Sequence, residues 1–136
     1  MNIYIDCEFN GFGGKLISMA LVADSGEEFY EVVEMRDQLD PWVANNVVPI
    51  LNKSPISYSE FQDKILEFLN NFNDIKVIAD WPDDLKYFME ALITGPGLML
   101  PIRRVELLMN RKLSAGKSIL PHNALEDARA IMRSNI

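Results

Sequence analysis

The sequence predicts an α/β fold in which helices flank a mixed β-sheet, with an antiparallel meander first and parallel strands after it. Apolar and polar residues alternate along residues 3–8, and two further apolar segments follow across short turns, a pattern typical of a meander. Beyond residue 57, helical spacing alternates with a short apolar strand, which favours parallel strands packed against helices. Because the chain has 136 residues and is 49% hydrophobic, we expect a single domain over residues 1–136.

The first half of the chain is predicted to contain the meander and two helices. A weak helical pattern runs from Pro41 to Leu51. Ser57 then opens a stronger helix, whose apolar residues repeat at helical spacing. The three predicted strands cover 3–8, 16–23 and 29–33, with a glycine-rich turn at 10–14 and a hairpin turn at 24–26.

The second half is predicted to alternate strands and helices. Residues 76–79 form a short apolar strand, and a helix follows from about Pro82. Residues 98–105 are predicted as the last strand, running into a short helix that ends at Leu113. The final helix begins near Asn123, whose side chain is expected to cap it while Glu126 reaches back to complete a capping box.

Composition and charge exclude several classes of protein. The net charge of −7 argues against a broad electrostatic nucleic-acid binder, although an enzyme that reaches phosphate through metal ions is compatible with it. No apolar run has the length of a membrane span, and the first residues lack the form of a signal peptide, so no membrane partner is expected. With Cys7 as the only cysteine, no internal disulfide can form. A cytoplasmic location is the simplest expectation.

Asp6 and Glu8 are the first candidate site residues. In a strand, residues two apart point to the same face, so these carboxylates emerge side by side among Ile3, Ile5 and Cys7. If the strand is central, the two charges are partly buried and require a cation or a shifted pKa. If it is an edge strand, they are two ordinary solvated acids.

Two more acids lie at the margins of buried helical faces. Asp84 lies beside the predicted apolar stripe of Leu85, Phe88, Met89 and Leu92, whereas Asp83 is on the polar side and Asp80 is expected to cap the helix. Asp127 lies beside Ile131 in the final helix. For Asp84 the alternative is an ordinary acid that is favoured at a helix N-terminus, and for Asp127 the partner is either an arginine or a metal ion.

His122 is the only histidine and precedes Asp127 by five residues. It is either an exposed loop residue or a base that acts next to a metal site. Four carboxylates and one nearby base suit a site for two divalent ions, because hard cations take oxygen ligands.

The chain resembles the DEDDh 3′–5′ exonucleases, which have an RNase H-like fold. An Asp-x-Glu motif stands in Ile5-Asp6-Cys7-Glu8-Phe9, and a strand leads to the second acid in Val77-Ile78-Ala79-Asp80-Trp81-Pro82-Asp83-Asp84. The most specific motif is the third, His122-Asn123-Ala124-Leu125-Glu126-Asp127-Ala128. The motifs occur in the family's order and span nearly the whole chain, which is most similar to compact exoribonuclease-like members. Asp80 and Asp83 depart from the family's second motif.

The resemblance implies a two-metal exonuclease. Asp6, Glu8, Asp84 and Asp127 would hold two Mg²⁺ or Mn²⁺ ions about 4 Å apart. His122 would act as general base for the attacking water, and nucleoside 5′-monophosphates would leave the 3′ end of RNA, which is favoured, or of single-stranded DNA. Phe9, Asn10, Gly11 and Phe12 would contact the terminal nucleotide, with an ordinary turn as the alternative. A homodimer is expected by analogy.

Two other functions stay open at the level of sequence. One is a catalytically silent nucleic-acid-binding module of the same fold, although none of the five motif residues is lost. The other is a hydrolase of small nucleotides that uses the same metals. Digestion of an end-labelled oligonucleotide separates both from an exonuclease.

Overall fold

The computed structural model describes residues 1–135, which form a mixed five-stranded β-sheet flanked by helices. The strands of this sheet are β1 (Asn2–Phe9), β2 (Leu16–Ala23), β3 (Glu28–Val32), β4 (Lys76–Ala79) and β7 (Glu106–Met109). Their order is β3-β2-β1-β4-β7. The first three pair antiparallel, whereas β1 pairs parallel with β4 and β4 pairs parallel with β7. The predicted mixed sheet with a leading meander is thereby confirmed.

The helices also follow the predicted order. They are α1 (Pro41–Asn46), α2 (Tyr58–Leu69), α3 (Pro82–Ala91) and α4 (Ala124–Ser134). Ser57 caps α2 by accepting the Glu60 N–H, and Asn123 caps α4 by accepting the Glu126 N–H. The carboxylate of Glu126 pairs with Arg129 rather than closing the predicted capping box. Within residues 1–135, no helix combines the length and apolar character needed to cross a membrane.

The region between α3 and α4 differs from the prediction. The strand expected at 98–105 is only the two-residue β6 (Leu98–Met99), which forms a separate hairpin with β5 (Ile93–Gly95). Pro101 explains the early end, because proline has no N–H to give to a ladder. The short helix expected to end at Leu113 is instead strand β7, which pairs with β4 at the sheet edge.

Two smaller predictions were also wrong. The weak helix from Pro41 to Leu51 stops at Asn46 and continues as a 3₁₀ turn at Val48–Ile50, because Pro49 breaks the α-helical hydrogen-bond pattern. In α3, Met89 is 42% exposed, and Tyr87 is buried in its place. The Tyr87 hydroxyl donates to the Gly14 carbonyl, which turns this side of the helix toward the glycine-rich loop.

The sheet is covered on both faces, and the two faces take alternate residues of β1. Ile3, Ile5 and Cys7 pack with the side chains of α2 and α3. Tyr4 packs with Ile131 of α4 on the other face. Because side chains alternate along a strand, Asp6 and Glu8 lie on the α4 face. The central position of β1 therefore places two carboxylates between the sheet and α4.

Candidate metal centre

The site lies at the end of the sheet that carries the carboxyl ends of β1 and β4, where β1 runs past the last residue of β4. The β1–β4 ladder stops at the pair Tyr4 and Ile78, so the segment Asp6–Phe9 has no strand neighbour on that side. Asp80 follows β4 directly, and Asp84 lies in the first turn of α3. Because β1 and β4 are parallel, their carboxyl ends meet at this end of the sheet. Acids from both strands and from α3 are thus brought together.

Five carboxylates converge there in two overlapping groups. Asp6, Asp80 and Asp84 form one group, and Asp6, Glu8 and Asp127 form the other. Within each group, one oxygen of each residue lies within 4.8 Å of the others. Asp6 belongs to both groups, so it stands between two clusters of oxygen atoms.

Two of these carboxylates are buried, and none of the five forms an ion pair within residues 1–135. Asp84 is 3% exposed and Asp127 is 8% exposed. No ion pair among residues 1–135 includes any of the five, which removes the alternative that an arginine neutralises Asp127. In addition, Asp6 Oδ2 and Asp127 Oδ1 are buried and have no hydrogen-bond partner. Buried oxygens of this kind are rare in folded proteins unless a ligand or water satisfies them.

The other oxygens of Asp84 and Asp127 fix the geometry of the site. Asp84 Oδ1 accepts the Cys7 backbone N–H at 3.0 Å, which supplies the acceptor that a neighbouring strand would otherwise provide. Asp127 Oδ2 accepts the His122 backbone N–H at 3.1 Å. Each residue thereby holds one backbone segment with one oxygen and keeps the other oxygen for the cluster.

Burial and mutual repulsion raise the pKa values of the cluster. Burial raises the pKa of Asp6 well above its ordinary value, and the charges of Asp84 and Glu8 raise it further. The pKa of Glu8 rises to about 8 through burial and then the charge of Asp127. Burial also raises the pKa of Asp84 to about 8, although the hydrogen bond from Cys7 opposes the shift. Such a cluster favours either protons or a cation.

The donor set fits a pair of hard divalent cations. All the convergent atoms are carboxylate oxygens, which Mg²⁺ and Mn²⁺ prefer over nitrogen or sulfur. Two groups that share one carboxylate match the arrangement in which one residue contributes to two neighbouring ions. Asp6 and Asp127, which carry the buried oxygens without a hydrogen-bond partner, both belong to these groups, so the unsatisfied residues are also candidate ligands.

Asp80 is the member of the cluster that sequence reasoning did not select. It was predicted to cap α3, but Trp81 occupies the cap position, and no side-chain hydrogen bond caps the helix. The extended backbone of Trp81 separates Asp80 from the helix and leaves its carboxylate with Asp6 and Asp84. The one signal in the sequence that Asp80 belongs to the cluster is its position directly after a short apolar strand, because the carboxyl ends of parallel strands lie together.

His122 stands beside the cluster on the loop before α4. It is exposed, and its backbone has a φ of 74°, in the left-handed region that few residues other than glycine adopt. Its ring meets the Trp42 ring edge-on, with centroids 4.9 Å apart and an interplanar angle of 84°. The structure thus places all five motif residues, Asp6, Glu8, Asp84, His122 and Asp127, at the same end of the sheet.

The four predicted nucleotide contacts have different surroundings. Phe9 stacks on Tyr87 with ring centroids 5.0 Å apart, so it belongs partly to the core. The Asn10 amide is engaged with the segment 38–40. Gly11 lies against Asp40, and Phe12 is fully exposed. Only Phe12 is free of contacts that already account for its position, and substrate contact by these residues stays a prediction.

Comparison of the sequence with protein-family models gave no match, and comparison with curated proteins gave none either.

Proposed function

We propose that this protein is a metal-dependent 3′–5′ exonuclease that hydrolyses phosphodiesters at the 3′ end of RNA or single-stranded DNA. The observation that carries the proposal is the pair of three-carboxylate groups sharing Asp6, with buried oxygens that lack any hydrogen-bond partner. Such an arrangement suits two-metal phosphodiester hydrolysis. The sequence motifs give the same assignment to four of these five residues, Asp6, Glu8, Asp84 and Asp127.

The fold that accompanies this proposal is RNase H-like. Its support is the strand order β3-β2-β1-β4-β7, with an antiparallel meander on one side of β1 and parallel strands on the other. The acids at the ends of β1 and β4, and at the starts of α3 and α4, suit this assignment. The resemblance of the three motifs supports it independently.

In the proposed reaction each residue has a separate role. Asp6 would serve both ions, Glu8 and Asp127 one of them, and Asp84 with Asp80 the other. When bound, the ions would neutralise the phosphate and stabilise the charge that develops on the attacking and leaving oxygens. A ring nitrogen of His122 would accept the proton of the water that attacks the terminal phosphorus, and the bond from phosphorus to the 3′ oxygen would break. The product would be a nucleoside 5′-monophosphate.

The distribution of charge supports a short contact with the substrate. The protein is acidic overall, and the side chains of Arg104 and Arg129 are paired with Glu106 and Glu28 respectively. Few phosphates upstream of the cleaved bond would therefore be gripped. We expect short oligonucleotides to be degraded nearly as well as long ones.

The test is digestion of 5′-labelled RNA and DNA oligonucleotides with Mg²⁺ or Mn²⁺. A ladder shortening from the 3′ end, with release of nucleoside 5′-monophosphates and no reaction in a chelator, is expected. Binding without cleavage would favour a catalytically silent nucleic-acid-binding module. Hydrolysis of mononucleotides or dinucleotides alone would favour a small-nucleotide hydrolase.

A further inference from the structure

The contact between Trp42 and His122 joins two surface residues that have no role in the core. Trp42 is 52% exposed, and its segment and the loop of His122 are far apart in the chain. The edge-to-face arrangement is one that aromatic rings prefer, and here it closes one side of the imidazole.

Trp42 is itself held from the loop that follows β1. The Asp40 carboxylate accepts the Trp42 backbone N–H at 2.9 Å at the start of α1. The Asp40 N–H in turn donates to Asn10 Oδ1 at 2.8 Å, and Asn10 Nδ2 donates to the Gln38 carbonyl at 3.0 Å. Both ends of the Asn10 amide therefore bind this segment, two residues after the carboxylate of Glu8.

We propose that Trp42 is the positioning residue for His122 and that Asn10, through Asp40, sets the place of Trp42. The backbone of His122 is fixed by Asp127, but its side chain extends from an exposed loop and depends on Trp42 for its orientation. A general base must lie within hydrogen-bond reach of the water that it deprotonates. The loop that follows β1 thus orients the ring of His122 through Asn10, Asp40 and Trp42. This chain of contacts is independent of the hydrogen bond from the His122 N–H to Asp127. The catalytic part of this inference rests on the proposed function.

The structural part of this inference, the contact between Trp42 and His122, can be tested without an activity assay. Because His122 is the only histidine, its ring protons are assigned in NMR spectra of the full-length protein without further labelling. We expect nuclear Overhauser contacts between the His122 ring and the Trp42 indole, and a ring-current shift of the His122 protons. Trp42→Ala should abolish both, and Trp81→Phe should leave both. Trp81 is the matched control because it is 49% exposed, also near the cluster, and packed against Arg111.

The catalytic part is read from a double-mutant comparison. Trp42→Ala should lower kcat by about 10- to 100-fold with KM changed less than about threefold, since a misplaced base loses rate rather than affinity. Trp42→Phe should restore most of the rate. In a His122→Ala background, Trp42→Ala should have almost no further effect.

Asn10→Ala provides a second variant, in which the side chains of Trp42 and His122 are both still present. It should weaken the same nuclear Overhauser contacts and lower kcat in the same direction. His122 ring signals that are unchanged in folded Trp42→Ala protein would overturn the inference, as would an equal loss of rate in the His122→Ala background. If the wild-type protein cleaves no oligonucleotide while the NMR contacts are present, the proposed function fails and the structural part of the inference stands.

Discussion

Asp84 combines two roles that different substitutions separate. Its carboxylate charge belongs to the cluster, whereas its Oδ1 atom accepts the buried Cys7 N–H. Asp84→Asn keeps an acceptor of the same shape and should abolish nuclease activity, with a loss of about 100-fold or more, while the protein stays folded. Asp84→Ala should in addition lower the free energy of unfolding by about 1–3 kcal/mol, because the Cys7 N–H is left buried without a partner. Initial rates on a labelled oligonucleotide and urea unfolding measure the two effects.

The neighbouring acid supplies the control for Asp84. Asp83 lies in the same helical turn, but its carboxylate accepts a hydrogen bond from the Trp81 indole at 3.2 Å and belongs to neither acidic group. Asp83→Asn should therefore keep most of the activity. Should Asp83→Asn prove inactive and Asp84→Asn active, the second motif would be misassigned.

Asp80 allows a test of metal binding itself. If it is a ligand, Asp80→Asn should weaken the affinity for one of two ions by about tenfold or more and leave the other nearly unchanged. The group of Glu8 and Asp127 does not include Asp80, which is why the second ion should be spared. Calorimetric titration with Mn²⁺ gives both affinities and the stoichiometry, with Asp83→Asn as reference. Two unchanged affinities would exclude Asp80 from the site.

At the scale of elements, Asn123 links the final helix to the 3₁₀ turn that follows α1. Its side chain is 4% exposed, caps α4 and also donates to the Ile50 carbonyl at 2.9 Å. Asn123→Ala should lower the free energy of unfolding by about 2 kcal/mol, through the lost cap and the unsatisfied carbonyl. It should also slow cleavage, since it lies between His122 and Asp127.

Ser57→Ala is the comparison for this cap. Ser57 caps α2 at an exposed position through a single hydrogen bond to the Glu60 N–H. Its loss should cost about 1 kcal/mol and leave the rate of cleavage unaffected. Both quantities come from urea unfolding curves and initial rates of the two variants. Equal effects on rate would show that α4 is not specifically coupled to the site.

Most elements could be predicted from the sequence because their signals are local. The alternation in β1, the turn around Gly26 and the caps at Ser57 and Asn123 each depend on residues within a few positions of one another. The strand β7 could not be predicted, because its four residues are all exposed and adopt the strand conformation only by pairing with β4. Edge pairing is a long-range contact that no local pattern records.

The site shows the same division between local and long-range information. Periodicity placed Asp6, Glu8, Asp84 and Asp127 on or beside buried faces because it shows which way a side chain points within one element, and the resemblance to the exonuclease motifs selected them as ligands. Asp80 was assigned to a cap because a single extended residue, Trp81, decides where α3 begins. The engagement of Asn10 with the segment 38–40 joins residues about thirty positions apart, and no spacing rule reaches that far.

At the scale of the whole molecule, the cluster makes stability depend on pH when metal is absent. The pKa values of Glu8 and Asp84 rise to about 8 in the folded protein, above the value of about 4 in an unfolded chain. Between these values the folded state binds more protons than the unfolded state, so the free energy of unfolding falls as pH rises from about 4 to about 8. In a chelator, the melting temperature should be higher at pH 5.5 than at pH 8.5.

Metal ions should restore the stability that the folded protein loses as the pH rises. Ions that bind only the folded state add roughly 2.7 kcal/mol at a hundredfold excess over the dissociation constant, and the gain should be largest near pH 8. The variant combining Asp6→Asn, Glu8→Gln, Asp84→Asn and Asp127→Asn should not respond to metal, and its stability should depend less on pH in this range. Thermal melts of both proteins, with and without Mg²⁺, provide the measurement. An equal metal response in the two would show that the ions bind elsewhere.

The hydrogen bond from the His122 N–H to Asp127 makes one amide a reporter of the whole site. The rate at which that hydrogen exchanges with deuterium depends on how firmly Asp127 is held, and a bound cation would hold it through the opposite oxygen. We expect exchange at His122 to slow when Mg²⁺ is added, while exchange at the Glu60 amide, bonded to the distant Ser57, keeps its rate. The order of events could then be followed in time, because slowed exchange that precedes binding of an oligonucleotide would show that the ions assemble the site before substrate arrives.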